Sequence, residues 1–284
     1  YRLKTISAPV DPTGYTIDID ALRNLAHEVR PMLITVGGSL NLFHHPIAKV
    51  RAIADEVGAK VLFDAAHLCG MIAGKVWPQP LAEGAHLMTF STYKSLGGPA
   101  GGLIVTNDDA IAETIDAIAY PGLTANFDAA KTAALGITLQ DWKSVGRDYA
   151  QMMVHTSQAL AQNLHNQGVA IFAADKGFTT SHQFAILAAP YGGGQTAARR
   201  MAQAGLLACG IGLPISEVPG DLNGLRIGTP EAVRIGMKVE HMPQLATFIA
   251  ASLKLDADSE SIHREVIEWR KQFSGVHYTV DLPN

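Results

Sequence analysis

"HLMTFSTYKSLGGPAGGLIVTN" (His86–Asn107) is the stretch on which the fold reading turns. Two apolar runs, His86–Thr92 and Gly101–Asn107, have the length and composition of strands. Between them a short polar loop carries Lys94, followed by clustered glycines. A lysine is ordinarily a solvated surface charge. This one is set at the end of an apolar strand, where glycines let the backbone approach a neighbour closely.

Toward the N-terminus the pattern alternates. "KVLFDAAH" (Lys60–His67) and "PMLITVGG" (Pro31–Gly38) read as buried strands. "PIAKVRAIADEVG" (Pro46–Gly58) reads as a helix with Pro46 in its first turn and Gly58 as its C-terminal cap. "IDIDALRNLAHEV" (Ile17–Val29) has Leu22, Leu25, Ala26 and Val29 at helical spacing, with Asp18 or Asp20 as the cap. Apolar strands spaced by helices predict a mixed, mainly parallel sheet covered on both faces, an α/β architecture. The opening "YRLKTISAPV" reads as a strand entering a loop, already in the middle of a fold, so a preceding N-terminal piece is expected to be absent from the chain.

Toward the C-terminus, Asp109–Tyr120 reads as a helix and Asp128–Gln167 as a long helical stretch. "VAIFAA" (Val169–Ala174), "FAILAA" (Phe184–Ala189) and "GLRIGT" (Gly224–Thr229) read as strands, with "GGQTAARRMAQAG" (Gly193–Gly205) as a helix. A smaller α+β domain is therefore expected from about residue 145, giving two domains, 1–144 and 145–284.

The 284 residues carry 22 Lys and Arg against 26 Asp and Glu, a net charge of −4, so there is no basic footprint for nucleic acid. No apolar run approaches the roughly 20 residues of a membrane span. Two isolated cysteines, Cys69 and Cys209, point to a reducing, cytoplasmic setting and buried thiols.

In open α/β sheets ligands gather at the carboxyl ends of the strands. There the sequence supplies Ser39, Asp64 and His67, and Ser91, Thr92 and Lys94. A desolvated lysine can form a Schiff base. Pyridoxal 5'-phosphate chemistry needs such a lysine and an acidic partner for the pyridine nitrogen. A planar guanidinium suits a substrate carboxylate, and Arg226 lies on an apolar strand between glycines.

The residues "FDAAHLCGMIAGKVWPQPL" and "GAHLMTFSTYKSLGGPAGGLIVTN" closely resemble the active-site region of serine hydroxymethyltransferases. The family pattern is D-x-A-H, then P-x-P, then T-T-T-H-K and G-P-R-G-G. "DPTGYTIDIDAL" and "PMLITVGGS" upstream, and "GLRIGTPEAVRIGM" downstream, resemble further family segments in order. The resemblance implies a fold-type I, aspartate-aminotransferase-like pyridoxal phosphate enzyme. Residues 1–144 would be the C-terminal part of its large cofactor-binding domain, and 145–284 its small domain. It implies serine–glycine interconversion, with tetrahydrofolate as a possible co-substrate, and a homodimer. Lys94 would carry the cofactor and Asp64 pair with its ring nitrogen. His67 and Ser39 would lie near its phenolic oxygen and the lysine loop. Ser91 and Thr92 would flank the lysine, and Arg226 would bind the substrate carboxylate. His182 falls where the family has an asparagine–histidine pair. Family members carry a ring-stacking histidine and part of the phosphate cup upstream of this region, and a chain lacking those is expected to bind the cofactor poorly.

Departures accompany the match. The histidine before the lysine is Tyr93, and the arginine of G-P-R-G-G is Ala100. "LTANFDAA" (Leu123–Ala130) replaces the family's glycine-rich segment, and "CGIGLPISEVPG" (Cys209–Gly220) replaces its asparagine-rich stretch near the folate pocket. Folate use is the property these changes touch most. The alternatives are a folate-independent aldolase, a hydroxymethyltransferase for an α-substituted serine, an aminotransferase or racemase, and a non-catalytic relative. Each site residue also has a plain reading: a helix cap for Asp64, a surface amine for Lys94, a packed imidazole for His67 and His182, a turn for Ser39, an ion pair for Arg226. Adjacent side chains such as His44 and His45 rarely converge on one metal. "YGGGQ" (Tyr191–Gln195) lacks the lysine and spacing of a phosphate loop.

Overall fold

The structure, a computed structural model, describes residues 3–280. It divides into two compact units. The first comprises Thr16–Lys143 and the segment before Pro12, and the second comprises Pro12–Tyr15 and the chain from Ser144 onward. Tyr1 and Arg2 of the expected opening strand lie outside the described residues. From Leu3 to Pro9 there is no regular element.

In the first unit a short antiparallel pair, β1 (Val10–Asp11) and β2 (Thr16–Ile17), leads into α1 (Ile19–Val29). Of the two candidate caps, Asp18 does the work: its carboxylate accepts the Ala21 N–H at 3.0 Å. Next come β3 (Leu33–Gly37), α2 (Ile47–Val57) and β4 (Lys60–Asp64), then α3 (Cys69–Ala73), β5 (Leu87–Ser91) and β6 (Gly102–Thr106). Gly58 closes α2 in the left-handed conformation, as its position predicts, whereas Pro46 sits one residue before α2 rather than inside its first turn. The sheet order is β3-β4-β5-β6. β3, β4 and β5 run parallel, and β6 returns antiparallel to β5 across the Lys94 loop. The mixed, mainly parallel sheet expected from the sequence is therefore present.

Val61, Phe63, Ile53, Leu68 and Met71 are almost fully buried in this unit. Each such side chain contributes on the order of 1.5–3 kcal/mol of transfer free energy. Coverage on both faces does not hold along the edge strand. Ile34 and Val36 of β3 are buried while Leu33, Thr35 and Gly37 alternate outward, so among the described residues one face of β3 is open. α4 (Asp109–Ala117), capped by Asp108, ends earlier than the expected helix. Pro121 forces Tyr120 into an extended conformation and converts the remainder into a wide turn, Ile118–Leu123. α5 (Ala129–Asn166) follows, and the division between the units falls inside it.

The second unit is built on an antiparallel sheet of order β7-β9-β8, from β7 (Gln183–Leu187), β8 (Cys209–Ile211) and β9 (Gly224–Gly228). Its helices are α6 (Gly194–Gln203), α7 (Pro230–Arg234), α8 (Met242–Leu253) and α9 (Ser259–Arg270). Leu160, Leu164, Phe184, Ile186, Met201 and Ile249 form part of one continuous core. The expected strand Val169–Ala174 is reduced to a bridge between Ile171 and Ile186, because Ala173 turns the chain at positive φ. No helix among the described residues is long and apolar enough to cross a membrane.

Candidate active site

The carboxyl ends of β3, β4 and β5 form one rim, and the sequence-predicted residues of the first unit are distributed along it. Gly37 at the end of β3 pairs with Asp64 at the end of β4. It adopts φ +99°, and a β-carbon there would stand 2.4 Å from the Asp64 carbonyl oxygen. A glycine is thus required for the two strand ends to meet. Ser39, just beyond, is exposed. Asp64 is half-buried, and its Oδ1 accepts the Ala66 N–H at 2.9 Å in a tight turn. Its Oδ2 carries no hydrogen bond to the described residues. The plain reading of Asp64 as a helix cap does not hold, because Leu68 precedes α3 without any side-chain cap; Asp64 spends one oxygen on the turn and leaves the other available.

The next loop residue of interest, His67, meets Lys94 from across the sheet. Lys94 Nζ lies 3.1 Å from His67 Nε2. These side chains belong to loops 27 positions apart in sequence, after β4 and after β5. Ser91 ends β5. Thr92 is buried, and its hydroxyl donates to the Pro99 carbonyl at 2.6 Å, a bond that closes the lysine loop on itself. The loop backbone is likewise committed: Gly97 N–H donates to Lys94 O, and Gly98 and Thr92 bond Thr92 O and Gly101 O. Tyr93 is 55% exposed, its ring centroid 6.0 Å from Lys94 Nζ, so the residue standing in for the family's histidine faces outward beside the amine. Ala100 is exposed.

Sequence reasoning missed the residue that joins the two loops. Ser95 is 3% exposed. Its hydroxyl donates to the His67 carbonyl at 2.7 Å and accepts the Gly70 N–H at 3.0 Å. Cys69 Sγ lies 3.4 Å from the same oxygen and 3.3 Å from the Ser91 carbonyl, and burial pushes this thiol's pKa up. Trp142, from α5, donates its indole N–H to the Leu96 carbonyl at 2.7 Å. A serine after a lysine carries no local signal of this role, because all its partners are distant in sequence.

Arg226 lies at the centre of β9 in the second unit, half-buried. His182 is buried there, its Nδ1 3.2 Å from Ser181 Oγ and its carbonyl accepting the Thr229 N–H. His44 stacks edge-on against Trp77 at 4.4 Å. His45 is largely buried with Nδ1 lacking a hydrogen bond, and desolvation, with His44 adjacent, lowers its pKa to about 4. Among the described residues no group of three or more His, Cys, Asp or Glu is placed to hold a metal ion.

An amine and an imidazole in contact, with a carboxylate oxygen left open on the same rim, form a donor set that fits pyridoxal phosphate: a covalent attachment point and a partner for a ring nitrogen. Comparison with known proteins places the whole chain. Residues 2–249 match the family model described as serine hydroxymethyltransferase. An α-methylserine aldolase of Variovorax paradoxus is 61% identical over 280 residues, covering 99% of this chain and 63% of that protein. A second, from Ralstonia sp, is 57% identical over 98% of this chain and 64% of its own length. A serine hydroxymethyltransferase of Methanobrevibacter smithii is 41% identical over 98% of this chain and 65% of its own length. The chain thus spans just under two thirds of these relatives. The solved L-threonine transaldolase of Pseudomonas fluorescens has the same fold, with a TM-score of 0.85 at 24% identity over 96% of this chain and 62% of that one. With a family model matched over most of its length and relatives of this identity, the chain belongs to the serine hydroxymethyltransferase family.

Proposed function

We propose that this protein is a pyridoxal 5'-phosphate-dependent enzyme that cleaves the Cα–Cβ bond of an α-substituted serine, α-methylserine first among candidates, without folate. The observation that carries the reading is the 3.1 Å contact of Lys94 Nζ with His67 Nε2 on the rim that also holds Asp64. When bound, the cofactor supplies an electron sink for the pair left on Cα. Lys94 is the amine that would hold it covalently. Asp64, through its open oxygen, would keep the pyridine nitrogen protonated. His67 Nε2 is within reach to take a proton from, or return it to, the Lys94 amine. The α-carboxylate is assigned to Arg226, whose planar fork matches two oxygens. Ser39, Ser91 and Thr92 complete the proposed cofactor-binding set. The net step balances without an oxidant or reductant: the β-hydroxyl loses its proton, Cβ leaves as an aldehyde, and Cα takes a proton.

The choice of substrate is supported by the relatives, since those named α-methylserine aldolase stand at 57–61% identity and those named serine hydroxymethyltransferase at 39–41%. It is also supported by the altered Cys209–Gly220 stretch, which Asn223 ties down through bonds to the backbone of Leu213, Ile215 and Ser216. Assaying α-methylserine and serine with and without tetrahydrofolate tests it. Aldehyde release from α-methylserine without folate is expected. Strict folate dependence with serine preferred supports hydroxymethyl transfer instead, and a keto acid product supports transamination.

The turn after α4 and the irregular segment leading to α5 expose Leu123 at 81% and Phe127 at 87%. This apolar surface supports a homodimer, which gel filtration of Leu123→Asp and Phe127→Asp would convert to a monomer. Two free cysteines fit a cytoplasmic location.

A further inference from the structure

The contact between His67 and Lys94 is made by two side chains on separate loops, each with several rotatable bonds. Something must fix the loops for that contact to persist. The backbone of the lysine loop is internally bonded, which makes it rigid but does not join it to the other loop. The junction runs chiefly through the Ser95 hydroxyl, beside a weaker contact from the Cys69 thiol to the Ser91 carbonyl at 3.3 Å. Ser95 Oγ uses its single proton on the His67 carbonyl at 2.7 Å and a lone pair on the Gly70 N–H at 3.0 Å. A hydroxyl has one donor and two acceptor positions, so these two bonds and the nearby Cys69 thiol account for it fully.

The backbones meet at the same place. A β-carbon on Gly70 would stand 2.4 Å from the Ser95 carbonyl oxygen and 2.9 Å from Cη2 of Trp142. Trp142 in turn holds the next carbonyl, that of Leu96. The loop after β4 is therefore pinned to Ser95 at both ends of the Leu68–Cys69 turn, and the lysine loop is backed from the other side by an indole.

We infer that Ser95, backed by Trp142, is a positioning residue: it holds the His67 backbone so that the imidazole stays within hydrogen-bond reach of the Lys94 amine. This rests on the reading of Lys94 and His67 as working residues. A merely packed serine would influence stability and nothing specific at Lys94. A positioning serine acts on Lys94 through His67 alone.

Competitive labelling of lysines with an amine-reactive reagent, read residue by residue by mass spectrometry on the full protein stripped of cofactor, separates these without turnover. Ser95→Ala is expected to change the Lys94 labelling rate at least threefold, in the direction that His67→Ala changes it. Exposed Lys60 is expected to label as before. In the His67→Ala background, Ser95→Ala is expected to add nothing, and Ser95→Thr, which keeps the hydroxyl, to retain the wild-type rate. An unchanged Lys94 rate in Ser95→Ala, or an equal change with and without His67, overturns the inference. Should Ser95→Ala fail to fold, Trp142→Phe is expected to give a smaller change in the same direction, and no change there overturns it equally. A protein that never takes up pyridoxal phosphate defeats the proposed function but leaves this labelling result intact, so the two failures are distinguishable.

Discussion

Asp64 in the first unit and Asp221 in the second both lie beside glycine-rich turns, yet their carboxylates are spent differently. Asp221 sits across the Gly192–Gly194 turn from the start of α6. Its Oδ1 accepts the N–H groups of Gln195 and Leu222, and its Oδ2 accepts the N–H and hydroxyl of Thr196. Those bonds, the Thr196 hydroxyl foremost, hold its pKa well below the usual carboxylate range. Nothing is left over for a ligand, and "YGGGQ" is a capped helix start rather than a phosphate loop. Asp64 accepts one N–H and keeps an oxygen open, on a rim where an amine and an imidazole also meet. A saturated carboxylate is architecture. An undersaturated one at a parallel strand end, beside groups with matching chemistry, is where the proposed site is drawn.

The largest expected effect lies on the open side of this contrast. Lys94→Ala removes the attachment point and is expected to lower turnover by at least about a thousandfold in a steady-state assay of aldehyde release. Asp64→Asn replaces the carboxylate while keeping its size, and a loss of roughly a hundredfold or more is expected in the same assay. Near-normal rates in either variant would erase the distinction between the two aspartates.

His45, in the loop after β3, gives a pH test of the same rim. Its native pKa of about 4 lies below the unfolded value of about 6.5, so the unfolded chain takes up the proton first. Stability is therefore expected to fall as pH drops from about 6.5 to about 4, by on the order of 3 kcal/mol in total. Urea unfolding of His45→Gln across that range should show a flatter profile, and an unchanged profile would assign the acid lability elsewhere.

Gly70→Ala forces a β-carbon into the Ser95 carbonyl, and a loss of about 1–3 kcal/mol of stability is expected from overpacking, measured by urea unfolding. The smallest effect belongs to the saturated side. Asp221→Asn is expected to lower the thermal midpoint by a few degrees, read by calorimetry, with activity untouched. The contribution of Asp221 is present above the unfolded aspartate pKa of about 3.9 and is lost as pH falls through its lower native value. A loss of activity in that variant would mean that the second turn is functional after all.

Signals carried by neighbours in sequence were legible. An aspartate cap for α1, though not which of Asp18 and Asp20, Gly58 as the stop of α2, and the strands ending near Asp64 and Ser91 follow from residue type and period. Signals carried by distant partners were not. Ser95 meets Gly70 25 positions away, Trp142 meets Leu96 46 away, and Asp221 meets Gln195 26 away. No local pattern distinguishes such a serine or aspartate from a solvated one. The open face of β3 was hidden for a related reason: Leu33 and Ile34 are equally apolar in sequence, and only the packing around them buries Ile34 and leaves Leu33 47% exposed. The lysine itself was legible as unusual, and its contact with His67 needed the sheet to bring two loops together.

The most direct test of the central claim is borohydride reduction of the protein with pyridoxal phosphate, followed by peptide mapping. A pyridoxyl adduct is expected on the peptide bearing Lys94, lost in Lys94→Ala. An adduct confined to other lysines, or none at all, would contradict it.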